Sequence, residues 1–139
     1  MPRLFIAAAL MLLSAPAFAQ AVAPQSLALE LNALQPTDKG CRITFLATNT
    51  LGAPVERAAI ETALFDNDGA IERIVTLDFK GLSEGKTKVL QFELADLPCT
   101  GIGRVLINDI SACTGAGLAP NACLDHLNTT TRPDITFGL

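Results

Sequence analysis

Over most of this chain, apolar side chains recur at every second position, in segments separated by Gly, Pro, Asn and Asp. Such alternation is typical of strands with one buried face, and the separating residues favour turns. Residues 90–94 show it most clearly, because Leu90, Phe92 and Leu94 alternate with polar side chains. The pattern predicts strands at residues 27–32, 41–48, 55–65, 71–79, 86–94, 102–110 and 129–137.

Two of these segments need a further argument. Residues 58–64 also fit a helix, but the hairpin turn predicted at 66–69 and the β-branched residues after it favour a strand. Pro133 lies inside the last segment, and because Pro has no backbone N–H we expect that strand at a sheet edge. In the long connection before it, Pro120 precedes a predicted short helix within residues 121–127.

Short strands with turns every eight to twelve residues are typical of an antiparallel β-sandwich of immunoglobulin-like type, with a small barrel as the main alternative. We therefore expect an all-β fold of about seven strands. A single domain would occupy residues 26–139, after a loose lead-in at residues 20–25.

The first nineteen residues break the alternation. Arg3 precedes an uninterrupted apolar run from Leu4 to Leu13, and Ala17-Phe18-Ala19 has small residues at both positions that a signal peptidase reads. Ten apolar residues span about 15 Å as a helix, about half of a bilayer core, so the run favours a cleaved signal peptide over a membrane anchor. We expect residues 1–19 to be removed and the protein to be periplasmic or secreted in a bacterium, without membrane insertion after cleavage.

The charge balance narrows the classes of partner. The chain has 14 acidic and 10 basic side chains, and neither Trp nor Tyr. An acidic domain without a basic stripe or stacking aromatic residues is a poor match for nucleic acid, so no nucleic-acid partner is predicted.

The four cysteines fit an oxidising compartment, because none lies in a Cys-x-x-Cys pair and their number is even. If consecutive strands alternate in direction, successive loops lie at alternate ends of the sandwich. Cys41 and Cys99, in the first and fifth loops, then share one end, and Cys113 and Cys123, both in the sixth loop, share the other. Of the three pairings that four cysteines allow, this argument favours Cys41–Cys99 and Cys113–Cys123.

Two groups of residues invite a chemical interpretation. Asp66-Asn67-Asp68-Gly69 resembles part of a calcium loop, but position 75, where an EF-hand needs Glu, is Val, so a polar turn is the better interpretation. His126 can be drawn into a triad with Ser111 and Asp109, but no Gly-x-Ser-x-Gly motif supports it. The sequence predicts no catalytic residue, no metal site and no cofactor.

The segment IETALFDNDGAI (residues 60–71), followed by GLSEGKT (residues 81–87) and the strand to Leu94, resembles the central hairpin of FxLYD-type immunoglobulin-like domains. In those domains a strand ends in an aromatic–Asp pair, turns at Asp-Gly and is followed by a Gly-x-Thr-type turn. Phe65 stands where the family prefers Tyr. The whole chain is also similar to small secreted proteins of proteobacteria with a signal sequence and four cysteines. The resemblance implies a fold and no activity.

These features predict an exported, disulfide-stabilised β-sandwich that is not an enzyme and acts as a protein-interaction or accessory module of the cell envelope. Its partner would be an envelope protein, bound at a sheet edge or at the sixth loop (residues 114–127). The alternative is a periplasmic carrier of a small ligand or metal ion, which would use the apolar interior or the Asp66–Asp68 turn. The sequence leaves the oligomeric state open.

Overall fold

Two four-stranded sheets pack against each other in the computed structural model, which describes residues 15–139. The expectation of an all-β sandwich is confirmed. Residues 1–14 of the predicted signal peptide lie outside the described residues, and 15–26 form no helix or strand. No helix within residues 15–139 is long and apolar enough to cross a membrane. The strands are β1 (Leu27–Pro36), β2 (Gly40–Asn49), β3 (Val55–Phe65), β4 (Ile71–Leu82), β5 (Lys86–Ala95), β6 (Arg104–Thr114), β7 (Leu127–Thr131) and β8 (Thr136–Gly138).

The strand order is β5-β2-β1-β7 in the first sheet and β4-β3-β6-β8 in the second. The separation of β1, β2 and β5 from β3 and β6 is also that of immunoglobulin domains. Consecutive strands alternate in direction, as the sequence argument assumed. We call the end that holds loops 37–39, 66–70, 96–103 and 132–135 the upper end, and the end that holds loops 50–54, 83–85 and 115–126 the lower end.

The prediction of one final strand at residues 129–137 is wrong. The segment forms two strands, β7 and β8, which lie at the edges of different sheets. Pro133 lies in the connection between them, where its carbonyl accepts a hydrogen bond from the Ile135 N–H at 2.8 Å. Because strand directions alternate, β7 is parallel to β1 and β8 is parallel to β6, so the sandwich is antiparallel except at these two edges.

A cluster of four phenylalanines joins the two sheets. Phe45 of β2 is 1% exposed, and its ring centroid lies 5.5 Å from those of Phe79 and Phe137, both of the opposite sheet. Phe92 of β5 completes the cluster, 5.4 Å from Phe79. Tilted pairs at these distances add to the free energy that burial of the rings already contributes.

Asn49 holds the lower end together, where the chain passes from the first sheet to the second. Its side chain is fully buried and donates to the carbonyls of Ala53 (2.9 Å) and Leu82 (3.0 Å), while its oxygen accepts from the Leu51 N–H (3.0 Å). Its backbone carbonyl accepts from the Gly85 N–H at 2.7 Å. One residue therefore satisfies backbone groups in or beside two of the three connections between the sheets at this end, 50–54 and 83–85.

We expect Asn49→Ala to lower the free energy of unfolding by about 3 kcal/mol or more, because two buried backbone groups and one part-buried group lose their partners. Asn67 is the matched control, since its exposed side chain donates one bond, to the Thr100 carbonyl. Asn67→Ala should cost less than about 1 kcal/mol. Urea unfolding of both variants measures the difference, and equal losses would contradict the role given to Asn49.

Two disulfides, one at each end of the sandwich, have the pairing that the alternating-strand argument favours. Cys41–Cys99 joins the start of β2 to a single 3-10 turn (Cys99–Gly101) at the upper end, across a sequence separation of 58 residues. Cys113–Cys123 spans 10 residues at the lower end. Cys113 lies within β6 rather than in the loop, because that strand continues four residues beyond its predicted end.

The Cys41→Ala/Cys99→Ala variant should lose more stability than Cys113→Ala/Cys123→Ala, because the longer loop restricts the unfolded chain more. Loop entropy gives losses of about 4 and about 3 kcal/mol, respectively. Urea unfolding without reductant measures both values. The reverse order would show that local packing, not loop length, sets the contribution of these bonds.

Candidate functional site

The sixth loop is an ordered structure at the lower end. A single helical turn, α1 (Ala122–Asp125), occupies the position where the sequence predicts a short helix. Cys123 within it is fully buried and bonded to β6 through Cys113. The next residue after α1, His126, accepts a hydrogen bond from the Leu27 N–H at 2.9 Å through its carbonyl. The loop is therefore held against both sheets.

Gly115 brings the beginning of this loop against the neighbouring connection. A Cβ atom at this position would lie 2.4 Å from the carbonyl oxygen of Pro54 and 2.9 Å from a methyl of Leu118. Only a residue without a side chain allows this approach. The loop position thus depends on a glycine that the sequence alone presents as a turn residue.

A cleft of about 310 Å³ lies between β6 and the sixth loop. One wall is the stretch Asp109–Thr114 of β6, and the other is formed by Pro120, Asn121 and Leu124. The side chain of Leu124 is 45% exposed and forms the apolar part of this wall together with Pro120. We call this the β6–α1 cleft.

The strand that forms one wall of the β6–α1 cleft has an unpaired edge. β8 covers β6 only at Arg104–Leu106, so no strand of the described chain pairs with the outer edge of β6 beyond this point. Register shifts in the pairing with β3 place bulges near Asn108 and Ser111. An open edge offers backbone N–H and C=O groups to another extended chain, and bulges restrict which chains fit.

Sequence reasoning proposed a sheet edge and the sixth loop as separate binding places, and the structure brings them together. The cleft combines backbone groups on one side with the apolar side chain of Leu124 on the other. Asp109 is the charged residue in its lining. Such a surface can bind an extended peptide by strand addition, with one side-chain position that favours an apolar residue.

The hypothetical triad is not assembled. Ser111 donates its hydroxyl to the carbonyl of Ala59 at 3.2 Å, which commits it to the neighbouring strand. No hydrogen bond joins Ser111, Asp109 and His126 within residues 15–139. The side chain of His126 is exposed just after α1.

The acidic hairpin between β3 and β4 is a closed polar turn. One oxygen of Asp66 accepts from the N–H groups of Asp68 (2.9 Å) and Ala70 (2.8 Å), so this carboxylate organises its own loop. Asn67 ties the hairpin to the carbonyl of Thr100 at 2.8 Å. Among the described residues, no group of three or more His, Cys, Asp or Glu side chains could hold a metal ion.

A second cleft, at the upper end, was not anticipated from the sequence. It has a volume of about 410 Å³ and lies between residues 36–40 and 96–100, beside the half-buried Cys99. Gly40 makes it possible for these loops to meet, since a Cβ atom there would lie 2.1 Å from the Leu94 carbonyl oxygen. This cleft is formed by two loops and has no open strand edge, so it offers fewer backbone partners to a peptide than the β6–α1 cleft.

Fold and site together define a disulfide-stapled all-β sandwich with an open strand edge beside an ordered loop. No protein-family model, curated protein or solved structure matches the chain. The resemblance of residues 60–94 to FxLYD-type domains therefore stays a prediction.

The position of the sixth loop can be tested at Gly115. We expect Gly115→Ala to destabilise the protein by about 1–3 kcal/mol, because its methyl group would overlap Pro54. Gly101→Ala is the control, since a Cβ there would lie at an ordinary distance, 3.4 Å, from Pro98. Urea unfolding gives the costs, and hydrogen exchange of residues 116–125 reports loosening of the loop. Unchanged stability and exchange would show that Gly115 does not hold the loop.

Proposed function

We propose that this protein is an exported, non-enzymatic interaction module of the bacterial cell envelope that binds an extended segment of an envelope protein in the β6–α1 cleft. The observation that carries the proposal is the unpaired edge of β6 beside the exposed side chain of Leu124. Strand addition supplies affinity through backbone hydrogen bonds, and a neighbouring apolar contact supplies specificity.

The lining of the cleft indicates the chemistry of the bound segment. Leu124 and Pro120 form an apolar wall, which favours an apolar side chain opposite them. Asp109 lies on the strand side, and Asp125 is exposed in the adjacent helical turn. We infer that the segment is extended, partly apolar and neutral or basic, because an acidic segment would meet like charge.

Export is supported by the signal-like N-terminus and by the cystines. Both disulfides tie together elements that the sheets alone leave separate, and such bonds persist in oxidising compartments. A cystine beside α1 also keeps one wall of the cleft fixed. A preformed site loses less conformational entropy on binding than a mobile loop would.

The proposal can be tested by site-specific photocrosslinking in a bacterial host that encodes the protein. A photoreactive residue at position 124 should trap one envelope protein, because this side chain lines the cleft. Val89 is the matched control position, since it is an exposed apolar residue (62%) on the outer edge strand of the first sheet. The same residue at position 89 should not trap that protein.

The trapped protein then supplies a peptide for calorimetry with the purified domain. Leu124→Glu should weaken binding at least tenfold, whereas Val89→Glu should leave it within about twofold. Crosslinks of equal yield from both positions, or binding unaffected by Leu124→Glu, would contradict a site in the β6–α1 cleft.

A further inference from the structure

The outer face of the second sheet carries an apolar row in which the large side chains are exposed or half-buried. On β3 the residues at 58, 60 and 64 join the core, so Ala59, Glu61, Ala63 and Phe65 point to the outside. Ala63 pairs with Ile74 of β4 and with Leu106 of β6, and Leu106 pairs with Gly138 of β8. These residues form one row across the sheet, which we call the central row.

The central row is most exposed at Ile74, whose side chain is 55% exposed, and Leu106 is half-buried. Between them, Ala63 is only 3% exposed. Ile71, 60% exposed, extends the apolar surface upward beside Phe65. Exposed apolar side chains grouped on a sheet face are typical of interaction surfaces.

Charges of opposite sign lie above and below the central row. Above it, Arg104 stacks on Phe65, with its guanidinium carbon 5.5 Å from the ring centroid. Below it, Glu61 of β3 pairs with Asp109 of β6. On β6, a cation (Arg104) therefore lies above the apolar row and an anion (Asp109) lies below it. On β4, the exposed Glu72 adds a carboxylate above the row.

The same alternation continues toward both ends of the face. Farther down, Asp78 lies 3.4 Å from both Arg57 and Lys80, and this cluster carries one net positive charge. The Lys80 N–H, 2.9 Å from the Asp78 carboxylate, holds the pKa of that carboxyl below its ordinary value, so Asp78 is an anion at neutral pH. At the upper end, the acidic hairpin residues Asp66 and Asp68 lie beyond Arg104.

We propose that this face binds a second copy of the same chain, related by a two-fold axis that runs along the central row, across the strands. Rotation about this axis keeps each strand opposite its own copy but exchanges the row above with the row below. Arg104 of each copy then faces Asp109 of the other, Ile74 meets Ile74, and the positive cluster approaches the acidic hairpin. A two-fold contact requires such self-complementarity.

The area of the face indicates how tightly two copies should bind. Three long strands about 4.8 Å apart and about 11 residues long present a plane of roughly 500 Å², and the side chains add accessible surface to it. Stable interfaces begin at about 600 Å² per copy, so the face reaches the lower limit for a specific dimer. Asp109 borders both this face and the β6–α1 cleft. The inference still does not depend on the proposed peptide site, since association of the copies is measured with no peptide present.

The first test is sedimentation velocity of the protein purified after export, between about 1 and 500 µM. A concentration-dependent dimer is expected. Ile74→Glu should weaken it about a hundredfold by placing a charge on the axis, and Val89→Glu, the matched substitution on the other sheet, should not change it. Far-UV circular dichroism establishes that each variant is folded.

The second test uses two exposed charges and so avoids any risk to the core. Arg104→Glu and Asp109→Arg should each weaken the homodimer tenfold or more, because two attractive contacts become repulsive. Mixed together, the two variants should form a heterodimer of about wild-type affinity, since both contacts across the axis are then attractive. Only a two-fold arrangement that pairs these positions predicts this recovery.

Each alternative outcome overturns the proposal. A wild-type protein that is monomeric at 500 µM would show that the face does not bind its copy. A dimer unaffected by Ile74→Glu would place the contact elsewhere. A dimer that Ile74→Glu disrupts, but that the mixed variants do not restore, would exclude this two-fold axis.

Discussion

The whole sandwich depends on satisfying buried backbone groups where the chain changes sheets. At the lower end two connections, between β2 and β3 and between β4 and β5, pass over the core side by side. The buried amide of Asn49 bonds to three backbone groups there, and its own carbonyl bonds to a fourth. An unpaired buried amide or carbonyl group costs about 1–3 kcal/mol, so leaving these groups without partners would destabilise the packing of the sheets at this end by several kcal/mol.

Once these connections between the sheets are held in place, the other contacts of the sandwich can form. Phe45 can meet aromatic rings of the opposite sheet only if the sheets keep their separation and register. The two disulfides then secure one connection at each end, and the lower one holds α1 beside β6. Both surfaces proposed to bind partners, the β6–α1 cleft and the outer face of the second sheet, are thus parts of one rigid framework.

Period-two alternation was sufficient to locate most strands, because a strand with one buried face has apolar residues at every second position. The strand at Val55–Phe65 has its predicted bounds, although its composition also fits a helix. Local patterns fail where the decisive contact is distant along the chain. Asn49 reads as the beginning of a polar turn, and its partner carbonyl at Leu82 is 33 residues away.

The final segment illustrates the same limit. Alternation across residues 129–137 does not indicate that the chain changes sheets at Pro133. The change depends on which edges of the two sheets have no strand paired to them. The candidate site was predicted in parts, as an edge and a loop, but their meeting depends on β8 being only three residues long and on the close approach of Gly115 to Pro54. Neither property can be derived from local composition.

Native-state hydrogen exchange of two amides tests the central claim most directly. The N–H groups of Leu51 and Gly85 belong to loop residues, yet both are bonded to Asn49. If Asn49 holds connections 50–54 and 83–85 against the core, both amides should exchange only through global unfolding. Their free energy of exchange should then equal that of the slowest amides of β2. Exchange of either amide at the rate of the exposed hairpin at Asp68 would contradict the account.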